Sequence, residues 1–135
     1  VSVYTADAVS LLSYLVDALP RTADRIFSEA EAGETIVQAP STALAEVLYA
    51  VSRDEDVRGV TLTGTPEDAR QALVGNGPIS VASIDDAELA EYVQIIDELS
   101  IHDGLLVASH RVRETDAIIT SDGVIADAGY ETVWN

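Results

Sequence analysis

Four carboxylates stand out by where they fall: Asp7, Glu46, Asp103 and Asp122. Acids are common in this chain, 24 of 135 residues, so each position needs its own argument. Glu46 is the only charge in Ala43–Val51, a stretch otherwise of Ala, Leu, Val and Tyr. A lone carboxylate in an apolar run is rarely buried unless it is paired or bound to metal. The other three also have local readings. Asp is a preferred N-cap and turn residue, which covers Asp7 and the Asp122-Gly123 pair. Asp103 follows Ser100 by the spacing of a capping box. As a set, hard oxygen donors in a chain without cysteine suit Mg²⁺ or Mn²⁺. Such ions suit phosphodiester hydrolysis: the metal lowers the pKa of bound water, orients it in line and neutralises the leaving oxygen. One of the acids could also accept the proton of the attacking water, and the sequence leaves open which.

These acids need elements to position them, and the hydropathy pattern supplies a regular set. Val1–Thr5 reads as a strand ending at Ala6-Asp7, followed by Leu11, Leu12, Leu15, Val16 and Leu19 at helical spacing until Pro20 stops them. A second helix covers Thr22–Ala32, a buried strand Thr35–Gln38, and a third helix Thr42–Ser52. Asp54–Gly64 is a polar connection. Thr65-Pro66-Glu67-Asp68 then has the cap, proline and acid of a helix start. Ile79–Ala82 reads as a strand, Asp85-Asp86-Ala87-Glu88 opens a helix to Leu99, and Ser100 caps the helix Ile101–Arg113. Ala117–Thr120 is a strand, Asp122-Gly123 a turn, and Thr132-Val133-Trp134 a short last strand. Strands alternating with helices imply one α/β domain over residues 1–135, with a parallel sheet covered on both faces. Ligands of open parallel sheets bind beyond the carboxyl ends of the strands, and all four acids can face that end.

The composition narrows the partners. The chain carries 7 basic residues, all Arg, and a net charge of −17. Phosphate neutralisation drives most nucleic-acid binding, so this balance implies either avoidance of polyanions or work in concentrated salt. At 1 M salt the Debye length is only about 3 Å, and a well-patterned acidic chain without Lys fits the halophile reading better. No apolar run approaches a membrane span and no basic-then-apolar leader opens the chain, so a cytoplasmic protein is expected. His102 and His110 are two helical turns apart, the wrong spacing for a shared zinc; His102, beside Asp103, could touch substrate, with a surface or packing role the more expected. Arg111 and Arg113 suit the negative end of their helix, while Arg21 and Arg25 share a face that could meet phosphate. Neither a phosphate-binding glycine loop nor a serine or cysteine nucleophile motif is present. A phosphoacceptor receiver domain would need a late Lys, which the chain lacks.

Asp7-Ala8 before Leu11-Leu12, Ala45-Glu46-Val47, His102-Asp103-Gly104-Leu105-Leu106-Val107-Ala108 and Thr120-Ser121-Asp122 together resemble the four acidic signatures of the PIN-domain family, in its order and over nearly the whole chain. Each motif alone is weak; the ordered set is fairly specific. The resemblance is strongest to the small VapC-like ribonuclease toxins of toxin–antitoxin pairs. It implies a PIN-type, Rossmann-like three-layer sandwich, Mg²⁺- or Mn²⁺-dependent endoribonuclease activity on an RNA substrate, a homodimer and an inhibiting antitoxin protein. By motif matching it makes Asp7, Glu46, Asp103 and Asp122 the catalytic and metal-binding acids, with Ser121 beside them at the substrate. Two positions depart from the pattern. Val9 stands where a small polar residue is usual, and Gly123–Ala126 intervenes before the next acid, Asp127. These bear on a supporting hydrogen bond and on the number of metal ions. A stand-alone PIN nuclease in RNA processing and a non-catalytic PIN-like binding module are the alternative readings.

Overall fold

The computed structural model describes residues 1–135. In chain order the elements are β1 (Val3–Ala6), α1 (Ala8–Leu15), α2 (Arg21–Glu31), β2 (Ile36–Pro40), α3 (Ser41–Ser52), β3 (Asp56–Val57) and β4 (Val60–Thr61). There follow α4 (Pro66–Arg70), continued by a π-helical turn over Gln71–Gly75, then β5 (Ile79–Ala82), α5 (Asp86–Ile95), α6 (Ile101–Arg113), β6 (Ala117–Ile119), α7 (Gly123–Asp127) and β7 (Thr132–Val133). The main sheet has five strands in the order β5-β2-β1-β6-β7, and every neighbouring pair is parallel.

Strand β6 shows how the layers arise. Successive strand residues point to opposite faces, so Ile118 and Ile119 serve different cores. Ile119 packs with Leu11, Ile26, Phe27 and Val47 beneath the helices α1 to α3. Ile118 packs with Ile95, Leu106, Val107 and Ile125 beneath α5 to α7. The expected α/β sandwich, with helices on both faces of a parallel sheet, is therefore the observed one. Both cores are built from small aliphatic residues, Phe27 being the largest fully buried side chain.

Local signals placed most helix starts correctly. Thr65 and Asp68 form a reciprocal capping box, as do Asp85 and Glu88. The differences lie where distant contacts decide. The first helix stops at Leu15 rather than Leu19, because Asp17 turns to φ 55° and Ala18 N–H donates to Ser13 O. The helix after Asp85 ends at Ile95 rather than Leu99. The polar connection at 54–64 contains the hairpin β3–β4, whose two turn residues Arg58 and Gly59 both have positive φ. Arg is an unusual occupant of that conformation. It is held there by its Nε, 3.0 Å from Ser13 Oγ, and by its guanidinium 5.0 Å from the Trp134 ring. Asp122-Gly123 is not only a turn but the cap of the short helix α7.

Two contacts hold α5 against α6 and thereby set where α6 begins. A Cβ at Gly104 would lie 2.6 Å from the Tyr92 ring, so only glycine allows this close approach. At the other end Arg113 Nη2 lies 3.1 Å from Oε1 of Glu88, which is 1% exposed, and also donates to Ser83 O. A buried acid needs such a partner. The helix-end position of Arg113 is thus explained by Glu88 more than by the helix dipole, and Arg111 likewise pairs with Glu91. No helix is long and apolar enough to cross a membrane.

Candidate functional site

The chain runs outward from β1 through β2 to β5 on one side, and through β6 to β7 on the other. The order therefore reverses between β1 and β6, and a crevice opens beyond their carboxyl ends. Asp7 and Asp122 leave those two strand ends. One cleft of about 130 Å³ is lined by Asp7, Glu46, Asp103, Ser121 and Asp122, together with His102.

Asp7 is both cap and cleft residue. Its backbone N–H donates to Ile119 O, which ties the end of β1 to β6. Its Oδ1 accepts from Ser10 N–H at 2.8 Å, capping α1. Its Oδ2 accepts from the Thr120 hydroxyl at 2.6 Å, and Thr120 Oγ1 in turn accepts from Asp122 N–H at 3.0 Å. Asp122 caps α7 through Oδ1, which accepts from Val124 N–H. Asp103 lies in the first turn of α6, where its own N–H donates to Ser100 Oγ. The cap there is Ser100, and the Asp103 side chain meets both Ser100 and Asp122.

The electrostatics record the crowding. Burial pushes the Asp7 carboxyl above its ordinary range, against the opposing hydrogen bonds from Thr120 and Ser10, and the charge of Asp122 adds to the rise. Asp103 is also raised, first by burial, then by the charge and hydrogen bond of Asp122 and by Asp7. Three acids thus repel one another at the switch point, and no Arg lines the cleft.

Glu46 behaves differently from the expectation of a buried lone acid. It projects from α3 on the cleft rim, 40% exposed, and its Oε1 lies 2.9 Å from His102 Nδ1. Its partner is therefore a histidine rather than the aspartate cluster. His102, for which the sequence sets a surface or packing role against substrate contact, is exposed and lines the cleft. Thr120 is a second component that reading the motifs one by one missed. The available signal was a hydroxyl at the end of a buried strand, two residues before an acid. Val9 is 45% exposed on the cleft wall. Asp127, Arg21, Arg25 and His110 do not line the cleft. Arg25 pairs with Glu29, and His110 Nδ1 is 2.6 Å from Thr115 Oγ1.

The donor set fits a hard divalent cation. It offers carboxylate oxygens, and burial, with like charge added, raises Asp7 and Asp103 in the absence of positive charge. No three acids or histidines stand close enough together to surround an ion directly. A cation held here would therefore take one or two of the carboxylates and keep waters of its own.

The sequence matches no protein-family profile, and no curated protein matches it in sequence. Solved structures do resemble it. The structure of VapBC2 from Rickettsia felis bound to a DNA fragment from their promoter superposes with a TM-score of 0.72 at 12% identity, covering 98% of this chain and 99% of that one. VapC20 from Mycobacterium tuberculosis, described as a sarcin-ricin loop cleaving toxin, gives 0.67 at 20% identity over 99% of this chain and 100% of its own. DNA-bound VapBC from Salmonella typhimurium gives 0.66 at 12% identity, with 98% of each chain covered. The fold is the PIN-domain fold of VapC-type toxins.

Proposed function

From this fold and this cleft, we propose that the chain is an Mg²⁺- or Mn²⁺-dependent endoribonuclease, the toxin of a toxin–antitoxin pair. The observation that carries the proposal is the convergence of Asp7, Asp103 and Asp122 at the switch point, where burial and like charge raise Asp7 and Asp103. One or two of Asp7, Asp103 and Asp122 would hold the cation directly and the rest through its waters, with Glu46 facing them from the rim. When bound, the ion supplies charge to the phosphodiester and makes water a usable nucleophile near neutral pH.

The chain's own residues divide the remaining tasks. Thr120 and Ser10 fix both oxygens of Asp7, so that acid is a rigid anchor. Asp103, whose carboxyl is raised by burial and by Asp122, takes the proton of the attacking water. Ser121, exposed on the cleft rim, donates its hydroxyl to a phosphate oxygen of the RNA strand. Because no Arg lines the cleft and the net charge is −17, strand binding relies on concentrated salt to screen the surface. In this reading the working state is a cytoplasmic homodimer, silenced by an antitoxin protein.

The test is RNA cleavage by the purified chain in about 2 M KCl, where screening is nearly complete. Cleavage is expected with Mg²⁺ or Mn²⁺, none in EDTA, and none from a folded Asp103→Asn variant. Cleavage that persists in EDTA or in Asp103→Asn would overturn the proposal.

A further inference from the structure

The chain has one Trp, five Tyr and one Phe, and all but one of these rings pack inward. Tyr4, Tyr14, Phe27 and Trp134 pack in or against the core beneath α1 to α3, and Tyr92 and Tyr130 against the core beneath α5 to α7. Tyr49 is the exception, 60% exposed on α3. Thr42, Glu46, Tyr49 and Arg53 recur at i, i+4, i+7 and i+11, which is one face of a helix. Thr42 and Glu46 line the cleft, so Tyr49 stands about one turn beyond its rim on the same face. The Arg53 guanidinium lies 4.9 Å from the centroid of the Tyr49 ring and covers one side of it. Arg25, Arg70, Arg111 and Arg113 pair with acids, whereas Arg53 pairs with none, although Asp54, Glu55 and Asp56 follow it directly.

One exposed apolar side chain needs no explanation by itself. What singles this one out is its place on the cleft's own helix face and its bracing by Arg53. Affinity for a nucleic-acid strand has two main sources, phosphate neutralisation and base stacking. The first fades in concentrated salt, and a surface of net charge −17 with three acids beside Arg53 offers little of it. The second does not need charge, and every base has a π-face to offer. We propose that Tyr49, backed by Arg53, is a stacking platform for an unpaired base of the RNA strand. The proposal rests on the RNA-cleaving reading above and adds the path of the strand, along α3 from Thr42 and Glu46 to Tyr49. A base within a duplex is already stacked on its neighbours, so the platform favours single-stranded segments. Tyr49 touches no reacting atom in this role. It holds the strand that the cleft cuts.

Fluorescence anisotropy of the full chain in about 2 M KCl, with Ca²⁺ replacing Mg²⁺ to limit cleavage, would compare a labelled single-stranded RNA with a duplex of the same sequence. Three variants divide the roles of the side chain. Tyr49→Phe keeps the ring, Tyr49→Leu keeps an apolar side chain without a π-face, and Tyr49→Ala removes both. The ring is exposed, so all three keep the fold. Single-strand affinity should fall about five- to hundredfold in Ala and Leu and stay within about threefold of wild type in Phe. Duplex affinity should change by less than about twofold in all three. A fluorescent purine analogue in the strand, whose emission drops on stacking, should be quenched by wild type and Phe but not by Ala or Leu. An unchanged single-strand affinity in Ala would overturn the proposal, as would wild-type affinity in Leu. A loss in Phe as large as that in Ala, or an equal loss on the duplex, would overturn it too. Size-exclusion chromatography tests the rival occupant: if Ala changes the number of copies in the particle and loses RNA only with that change, the ring serves a contact between copies and the proposal fails. If the wild type binds no RNA, the substrate reading fails first and the role of Tyr49 falls with it.

Discussion

Replacing Asp7 separates the charge of the site from its scaffold. Asp7→Ala removes the cap on Ser10 N–H, made at 2.8 Å, at a cost of about 1 kcal/mol. It also takes the acceptor from the Thr120 hydroxyl, bonded at 2.6 Å, at a cost of about 1 kcal/mol or more because Thr120 is buried. Asp7→Asn keeps the cap and a polar group facing Thr120 while removing the charge that burial disfavours. Both variants relieve the same desolvation, so their difference isolates the hydrogen bonds at about 2 kcal/mol, or roughly 7 °C in melting temperature for a chain of this size. The difference between Asn and wild type isolates the charge. In EDTA and about 2 M KCl, where surface charge is screened, Asn should melt at or above wild type and Ala below Asn. Adding Mg²⁺ to about a hundred times its dissociation constant should stabilise wild type by about 2.7 kcal/mol and both variants by far less. The measurement is thermal unfolding followed by circular dichroism. If Asn melts well below wild type without metal, or if its Mg²⁺ response is intact, the shared-charge account is wrong.

Asp103 allows a pH test of the same repulsion. Its folded pKa is raised above the unfolded value, so the native state binds its proton more tightly and stability falls as pH rises out of the ordinary carboxylate range. In EDTA, Asp103→Asn should therefore exceed wild type at neutral pH, with the gap closing below about pH 4; a gap that is flat or negative would refute this. Arg113→Ala should cost about 3–5 kcal/mol in a denaturant titration, because it leaves the buried Glu88 unpaired, and Glu88→Gln in that background should recover part of the loss. Dialysis from about 2 M to about 50 mM KCl should lose the cooperative melt as screening of the −17 charge is withdrawn; a full helix signal and sharp melt at low salt would end the halophile reading.

Much of the fold was legible in the chain because it follows from interactions a few residues apart. The capping boxes at Thr65 and Asp85, the Ser100 cap and the alternation of apolar runs are local, and they located most helices and strands. Parallel pairing followed from that alternation, which places Asp7 and Asp122 at the same end of the sheet. Asp7, Glu46, Asp103, Asp122 and Ser121 were also readable as an ordered set, and one cleft gathers them. Their electrostatic grouping was not readable. Thr120 meets Asp7 across 113 residues of sequence, and Glu46 meets His102 from a different helix. The left-handed turn at Arg58 depends on Ser13 and Trp134 in the same way. Sequence alone determined which residues could be ligands, because residue type and strand-end position are local properties. Only the tertiary structure decided which of them share charge, since Coulomb repulsion and burial depend on distances that the packing of β1, β6 and α6 sets.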